Sequence, residues 1–156
     1  MLTVEIDKNE TITLSAEQIS EAAVYNWYDM EGNLIYQGKD LTVSADVTKK
    51  YKLEVVAETD GYKDYDEVDV TVNQFYLKTL VPNPATNLVT VNYKTIDVAS
   101  AYLMVIGTTN NSSNNYIIDT EQEQIAIDVS NYPTGSYTIA LVCNGTIVDA
   151  KTLIKN

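Results

Sequence analysis

The sequence predicts an all-β protein made of two small antiparallel β-sandwich domains. The chain of 156 residues is rich in Val, Ile and Thr and has 12 Tyr against one Phe and one Trp, and β-branched and aromatic residues favour strands. Short alternating apolar and polar stretches recur between turn residues, at the spacing typical of β-sandwiches. Residues 1–76 hold 16 acids and 6 lysines, whereas residues 77–156 hold 6 acids and 4 lysines, which indicates two modules with different surfaces.

The first predicted domain, residues 1–76, contains a series of short strand-like stretches. The turn formed by residues 31–33 (Glu-Gly-Asn) places Tyr28 and Leu34 on neighbouring antiparallel strands. Only residues 16–23 have a helical character, with Ser15 as a candidate cap, and we interpret them as a short connecting turn. The predicted strands are 2–6, 11–14, 24–28, 34–36, 41–43, 51–58 and 67–72.

The second predicted domain, residues 77–156, continues this pattern. Between its second and third strands, the stretch GTTNNSSNNY at residues 107–116 is too polar to bury, and we predict a solvated loop. Asn144 and Gly145, which separate two apolar alternations, predict a tight hairpin turn. The predicted strands are 88–93, 101–106, 116–118, 125–129, 136–143 and 147–154.

Two missing residue types exclude several functions. The chain has no His, and its 10 basic residues are all Lys, so it has no imidazole for a catalytic triad or a metal site and no guanidinium for a bidentate phosphate clamp. The single Cys143 cannot form an internal disulfide, and its apolar neighbours predict a buried thiol. We therefore predict that the chain is not an enzyme and uses no cofactor and no metal.

The net charge of −12 argues against nucleic-acid partners and anionic membrane surfaces, because both would repel the chain. No apolar run reaches the ~18 residues of a membrane span, and the first residues, MLTVEIDKNE, do not resemble a signal peptide. The chain is therefore either cytoplasmic or a piece of an exported protein. Its start in a strand-like alternation favours a C-terminal fragment of a larger exported protein.

Two strands of the first domain indicate which type of β-sandwich it forms. Alternation places Tyr25 and Trp27 on one face of a strand, and Tyr51, Leu53 and Val55 on one face of a later strand. Immunoglobulin folds have a core Trp, and a Tyr two residues before a Cys, at such positions. Here Leu53 stands at the cysteine position, so packing must replace the disulfide. The domain resembles the Ig-like and PKD-like spacer domains of bacterial surface proteins.

The stretch LVPNPATNLVTVNY at residues 80–93 joins a stiff turn to an alternating strand. Pro82 and Pro84 fix their own φ and donate no backbone hydrogen bond, and Pro84 moves Asn83 toward an extended conformation. Asn83 and Asn87 can then close small side-chain turns before the strand begins at Leu88. On its own, this stretch predicts a rigid start to the second domain.

Four further blocks follow: a strand closing on glycine, a Tyr-Pro-x-Gly-x-Tyr turn, a terminal hairpin and a lysine-containing final strand. Together, the five blocks resemble the C-terminal sorting domain of the type IX secretion system of Bacteroidetes. The resemblance implies a sorting motif read by the secretion machinery. The motif residues are Pro82, Asn83, Pro84, Gly107, Tyr132, Pro133, Gly135, Tyr137, Gly145, Lys151 and Lys155.

The resemblance also implies partners and a location. The outer-membrane machinery would read the sorting domain, a sortase-like peptidase would cut upstream of it, and the remainder would be anchored at the surface. The first domain would be a non-catalytic spacer behind a missing N-terminal effector domain. We expect the protein to pass through the periplasm and to be secreted or held at the cell surface. The final strand, residues 147–154, would offer a free edge for strand addition to a partner.

Two features depart from the family pattern. The polar tract after Gly107 is interpreted as a loop insertion. The junction VNQFYLKTLVPNP has no Gly or Ser run and is strand-like, so an accessible cut site is less obvious there. Because the prolines are rigid, we expect any cleavage site at residues 73–79.

Two weaker patterns point to other ligands. A group of tyrosines could form a sugar-stacking surface, so an extracellular adhesion or carbohydrate-binding module is the alternative function. A group of acids could offer oxygens to Ca²⁺ but lacks the spacing of a calcium loop, and a solvated acidic hairpin is the preferred interpretation. The tyrosines are Tyr28, Tyr36, Tyr62 and Tyr65, and the acids are Asp60, Asp64, Asp66, Glu67 and Asp69.

Overall fold

The computed structural model describes residues 2–19 and 22–156, and the regular secondary structure in these ranges is β-strand throughout. The prediction of an all-β protein is therefore confirmed. The chain divides into two units, Met1–Asn73 and Gln74–Asn156. Each unit has its own cluster of buried apolar side chains.

The first unit packs a five-stranded sheet against a two-stranded sheet. Its strands are β1 (Leu2–Asp7), β2 (Thr11–Ser15), β3 (Ala23–Tyr28), β4 (Leu34–Gln37), β5 (Asp40–Ser44), β6 (Lys49–Ala57) and β7 (Lys63–Asn73). The larger sheet has the order β1-β7-β6-β3-β4, and β2 pairs with β5. The strand pairs are antiparallel except that β1 runs parallel to β7.

Trp27 lies at the centre of the first core. It is 1% exposed, is directly opposite Leu53 on β6, and donates from Nε1 to the carbonyl oxygen of Gly38 at 3.0 Å. Tyr51 and Leu53 are buried on the same side, so the predicted inward faces of β3 and β6 are confirmed. Apolar packing around Trp27 takes the place of a disulfide.

The second unit packs a four-stranded sheet against a three-stranded sheet. Its strands are β8 (Phe75–Val81), β9 (Leu88–Thr95), β10 (Ala101–Gly107), β11 (Ser113–Ile118), β12 (Gln124–Asp128), β13 (Gly135–Cys143) and β14 (Thr146–Lys155). The sheet orders are β11-β10-β13-β14 and β12-β9-β8. Both sheets contribute fully buried side chains, such as Leu103 and Leu153 from one and Val89 and Val91 from the other.

Cys143 belongs to this second core and is 2% exposed. Burial raises the pKa of its thiol, which disfavours the reactive thiolate. The prediction of a buried thiol is confirmed.

The sequence interpretation missed β8, which it treated as a junction. Leu77 and Leu80 both point into the core, and the pairing of β8 with β9 shifts register between them. A bulge therefore interrupts the alternation that would have identified the strand.

The polar tract after Gly107 is only partly a loop. Its last residues form the first half of β11, where Ser113, Asn114 and Asn115 pair with Ile106, Val105 and Met104 of β10. Polar residues are accommodated because β11 is an exposed edge strand, whose stability comes from the backbone ladder. The loop itself is confined to residues 108–112.

The predicted turn at residues 16–23 lies partly outside the described residues, which exclude residues 20 and 21. Ser15 is the last residue of β2 and pairs with Asp40, rather than capping a helix. Ala16 continues the connection and donates its N–H to the carbonyl oxygen of Lys39 at 2.9 Å.

Candidate functional site

The Pro-Asn-Pro segment is hydrogen-bonded to the last residues of β14. Asn83 Nδ2 donates to the carbonyl oxygen of Thr152, and the N–H of Ile154 donates to Asn83 Oδ1, both at 2.9 Å. Ala85 continues the pairing, donating its N–H to the carbonyl oxygen of Ile154 at 2.8 Å and accepting from the N–H of Asn156 at 2.9 Å. We call residues 82–85 the proline clamp.

The chemistry of the proline clamp explains its residue types. Pro82 and Pro84 lack the N–H that a pairing strand would supply, and the carboxamide of Asn83 provides one donor and one acceptor in its place. Ala85 then forms a parallel bridge with Lys155 and is fully buried. The expectation that Asn83 closes a local turn is wrong, because its partners are 69 and 71 residues away.

The outer edge of β14 is correspondingly less free than the sequence indicates. The strand does lie at the end of its sheet, but the proline clamp occupies the edge at Thr152 and Ile154. Nearer the hairpin, Asp149 Oδ2 accepts the N–H of Leu77 at 2.8 Å. The expectation of a free edge along the whole final strand is therefore wrong, because parts of the chain that precede β9 cover it.

A second group of motif residues surrounds Tyr137, and we call it the tyrosine cluster. Tyr137 lies opposite Gly107 in the β10–β13 ladder, and its hydroxyl donates to the carbonyl oxygen of Pro133 at 2.6 Å. The ring centroids of Tyr132 and Tyr137 are 5.3 Å apart, and the hydroxyl of Tyr132 is hydrogen-bonded to that of Tyr116. Burial, followed by the hydrogen bond to Tyr116, raises the pKa of Tyr132. The phenol therefore stays neutral and acts as a packing and hydrogen-bonding group.

Gly107 is required by the side chain of Asn110. Asn110 Nδ2 donates to the Tyr137 hydroxyl at 3.0 Å, and its Oδ1 accepts from both the N–H and the hydroxyl of Ser112. A Cβ on Gly107 would lie 1.8 Å from Asn110 Oδ1. Sequence reasoning identified Gly107 but missed Asn110, because an Asn within a polar tract carries no distinguishing signal.

Two other motif glycines, Gly135 and Gly145, have positive φ values, which glycine adopts more readily than other residues. Gly135 begins β13 with a φ of +153°. Asn144 and Gly145 have φ values of 51° and 82° and turn the chain between β13 and β14, which is the left-handed pair that a type I′ hairpin requires. The predicted hairpin is confirmed.

The two motif lysines differ in exposure. Lys151 is exposed on β14, whereas Lys155 is only 6% exposed, and its ammonium donates to a main-chain oxygen of Asn156. Lys155 also pairs with Gly135 at the start of β13. Only Lys151 of the two is available for contact with a partner without rearrangement.

Most of the motif gathers at one end of the second unit. Gly135 connects the two groups, because it pairs with Lys155 beside the proline clamp and lies two residues from Tyr137 in the tyrosine cluster. Gly145 lies at the opposite end of β13, and Lys151 lies between the ends. Asp149 and Ala85 also belong with the motif, and no sequence pattern indicates this, because their partners lie far away along the chain.

The tyrosines of the first unit do not form one surface. Tyr28 and Tyr65 both hydrogen-bond Glu54, whereas Tyr36 pairs with Trp27 and therefore faces the other side of the sheet. The ammonium of Lys52 lies 4.5 Å from the ring centroid of Tyr65, on a ring face that a stacked sugar would need.

The acids of the first unit are engaged locally. Asp60, Asp64 and Asp66 accept backbone N–H groups one or two residues ahead, and Lys50 lies within ion-pair distance of Glu67 and Asp69. Across residues 2–19 and 22–156, no group of three or more acidic or Cys side chains is arranged to hold a metal ion. Within the same ranges, no helix has the length and apolar character needed to cross a membrane.

Comparison with known proteins gives one family and a set of structural likenesses. The family model described as "Secretion system C-terminal sorting domain" matches residues 79–156. A two-domain fibronectin type III segment of chicken tenascin is 14% identical, with 94% of this chain and 93% of that chain covered and a TM-score of 0.42.

Two other solved structures are segments of Dscam1 and of titin. The N-terminal four Ig domains of Dscam1 isoform 8.4 are 14% identical, with 99% of this chain and 43% of that chain covered and a TM-score of 0.43. The titin domains z1z2 in complex with telethonin are 14% identical, with 99% and 90% covered and a TM-score of 0.43. No curated protein matches the chain.

Proposed function

The chain belongs to the family of secretion system C-terminal sorting domains, and from this membership we propose that residues 77–156 are a folded address read by the outer-membrane type IX machinery. Type IX sorting domains mark proteins that are secreted or exported to the cell surface, so the chain is part of an exported protein. The observation that carries the proposal is the continuous family match over residues 79–156.

Most of the motif residues contribute to sorting indirectly, because they hold β14 and the neighbouring strands of the sorting domain in place. Asn83 pairs with β14, and Gly107 makes room for the Asn110 side chain that holds Tyr137. Both effects are structural and leave a well-defined surface for the machinery to read. Exposed Lys151 is the motif side chain best placed to contact the machinery directly.

Cleavage by a sortase-like peptidase requires the junction to open. Only Gln74 separates β7 from β8, and Leu77 is buried and paired with Tyr93. Peptidases cut exposed, unpaired chain, so residues 73–79 become a substrate only after β8 leaves its sheet. The cut would then accompany recognition of the sorting domain rather than precede it.

The first unit acts as a non-catalytic spacer behind an effector domain. Lys50 lies within ion-pair distance of Asp69, and Lys63 within that of Glu54. Asp60 accepts the N–H of Tyr62, and the Tyr28 hydroxyl donates to Glu54. Paired acid catalysis would need two acids converging on a cleft. The charged surface suits a domain that separates an effector from its anchor without binding it.

The test is export of a reporter. The full chain is fused to the C-terminus of a periplasm-targeted reporter in a Bacteroidetes strain with a working type IX system, and we expect the reporter to reach the surface or the medium. The matched control ends after residue 78, and a strain lacking the secretion machinery is the second control. A full-chain fusion that stays in the periplasm, or a truncated fusion that is exported equally well, would exclude the proposal.

A further inference from the structure

The outer face of the β11-β10-β13-β14 sheet carries no charged side chain. Leu103, Val105, Ile139 and Leu141 point into the core, so the alternate residues of β10 and β13 point away from it. We call the outward positions of this sheet the uncharged face. They are Tyr102, Met104, Ile106, Ser113, Asn115, Ile117, Ser136, Thr138, Ala140, Val142, Ile147, Ala150, Thr152 and Ile154.

An uncharged outer face is unusual for this chain. An antiparallel sheet with one buried face normally places polar and charged residues on the other, and 21% of the chain is charged. The outer face of the main sheet in the first unit follows this rule. Its outward residues include Lys50, Lys52, Glu54, Lys63, Glu67 and Asp69.

The apolar part of the uncharged face is a row that crosses all four strands. Ile117, Tyr102, Val142 and Ile147 are successive register partners across β11, β10, β13 and β14. Ile117 is 87% exposed and Ile147 is 56% exposed, whereas Val142 between them is 2% exposed but not part of the inner core. Polar side chains such as Ser113, Asn115 and Thr138 lie beside this row on the same face, and an exposed apolar patch with a polar rim is typical of a contact surface.

The size of the uncharged face indicates a transient partner rather than a stable second copy. With strands about 4.8 Å apart and residues about 3.4 Å apart, the face covers roughly 400 Å². A stable interface buries about 800 Å² per partner. A second copy would also bring together two chains that each carry a net charge of −12.

We propose that the uncharged face docks the sorting domain transiently on an apolar surface of the outer-membrane secretion machinery. This inference rests on the proposed function and names a second contact surface besides Lys151, which pairs with Ile139 and therefore lies on the opposite side of the sheet. Because the face has no charge, the partner surface is apolar and uncharged as well, and the contact is insensitive to salt. A small contact area lets the machinery release the domain after export.

The experiment places a charge on the uncharged face of the full-chain reporter fusion. Ile117→Glu, Ile117→Lys, Ile147→Glu and Ile147→Lys are compared with Leu88→Glu and Leu88→Lys. Leu88 is 50% exposed at the start of β9, in the other sheet, and is the matched control. We expect each Ile117 and Ile147 variant to lower the exported fraction about tenfold, because a charge buried against an apolar partner is costly, and the Leu88 variants to be exported like the parent.

Thermal unfolding of each purified variant separates folding from docking. Equal export of parent and face variants would overturn the inference and leave the proposed function standing, whereas failure of the parent fusion itself would end both. Equal losses at Leu88, or a loss with only one sign of charge, would also overturn it. So would a concentration-dependent dimer of the parent chain that Ile147→Glu dissociates, because the face would then belong to a second copy.

Discussion

At the scale of single residues, the requirement for glycine at position 107 comes from a neighbouring side chain rather than from the backbone conformation. A Cβ on Gly107 would overlap Asn110 Oδ1 at 1.8 Å, and Asn110 is the residue that donates to the Tyr137 hydroxyl. We predict that Gly107→Ala lowers the free energy of unfolding of the second unit by about 1 to 3 kcal/mol, because Asn110 must leave Tyr137. Urea unfolding followed by labelling of Cys143 measures the change.

A double-mutant cycle identifies the cause. In an Asn110→Ala background, Gly107→Ala should cost much less, because the overlapping atoms are gone. Gly145→Ala is the matched control, since its Cβ would meet no atom within 4 Å and its cost arises from a φ of +82°. Its cost should be the same in both backgrounds. Additive costs for Gly107 and Asn110 would contradict this explanation.

Glu54 makes the stability of the first unit depend on pH. The hydrogen bond from Asn26 Nδ2, at 3.0 Å, is the main cause that lowers the pKa of Glu54, and Tyr65, Lys63 and Tyr28 act in the same direction. A lowered pKa in the folded state adds stability that is present above the unfolded pKa, roughly 4.3, and is lost as pH falls through the folded pKa. We predict that acidification below about pH 4.5 destabilises Glu54→Gln less than the parent.

Urea titrations read by Trp27 fluorescence test this pH dependence, because Trp27 is the only Trp and lies in the first core. Exposed Glu5, on β1 of the same sheet, supplies the matched variant Glu5→Gln. The same loss of stability with pH in the parent and Glu54→Gln would contradict the assignment.

Residue-level prediction from sequence worked where alternation and chemistry agree. Trp27 and Cys143 are buried as their apolar surroundings indicate. Asn83 and Lys155 could not be predicted, because their environments depend on partners distant in sequence. A lysine in a terminal strand ordinarily indicates an exposed edge, and only the fold shows that Lys155 is buried where β13 begins.

At the scale of elements, the proline clamp determines how firmly β14 is held. We predict that Asn83→Ala lowers the free energy of unfolding by about 1 kcal/mol, since two partly exposed hydrogen bonds are lost. It should also speed hydrogen exchange of the Ile154 amide several-fold, because that N–H donates to Asn83 Oδ1. NMR-detected hydrogen exchange measures this amide directly.

Two further variants separate the two bonds of Asn83. Asn83→Asp keeps an acceptor for Ile154 but cannot donate to Thr152, so the Ile154 amide should stay protected. Asn92→Ala removes a comparable exposed bond, from Asn92 Nδ2 to Thr79 Oγ1 at 2.9 Å, and should leave Ile154 unchanged. Unaltered exchange at Ile154 in Asn83→Ala would show that the clamp does not hold the strand.

Most strands were predictable from sequence, and the exceptions have physical reasons. Alternation with period two identified the strands that bury one face, such as β9 and β13. It failed for β8, where a bulge puts Leu77 and Leu80 on the same side, and for the polar half of β11, which pairs at an edge without burying apolar side chains. The proline clamp was not predictable, because it joins segments far apart in sequence.

At the scale of the whole molecule, the two cores share no residue. The first is centred on Trp27 and the second contains Cys143, which is 2% exposed. Because the Cys143 side chain is buried, and burial also raises the pKa of its thiol, a thiol reagent labels it only after the second core opens. Unfolding of the first core can therefore be followed by Trp27 fluorescence, and unfolding of the second core by labelling of Cys143.

We predict that the two cores unfold in separate transitions. Leu103→Ala empties a fully buried site in the second core and should cost about 2 to 5 kcal/mol. It should move Cys143 labelling to lower urea and leave the Trp27 fluorescence transition in place. Val70→Ala, at a fully buried site in the first core, is the reciprocal variant and should move only the Trp27 transition. If either substitution moved both transitions equally, the two units would fold as one cooperative body, and the first could not act as an independent spacer.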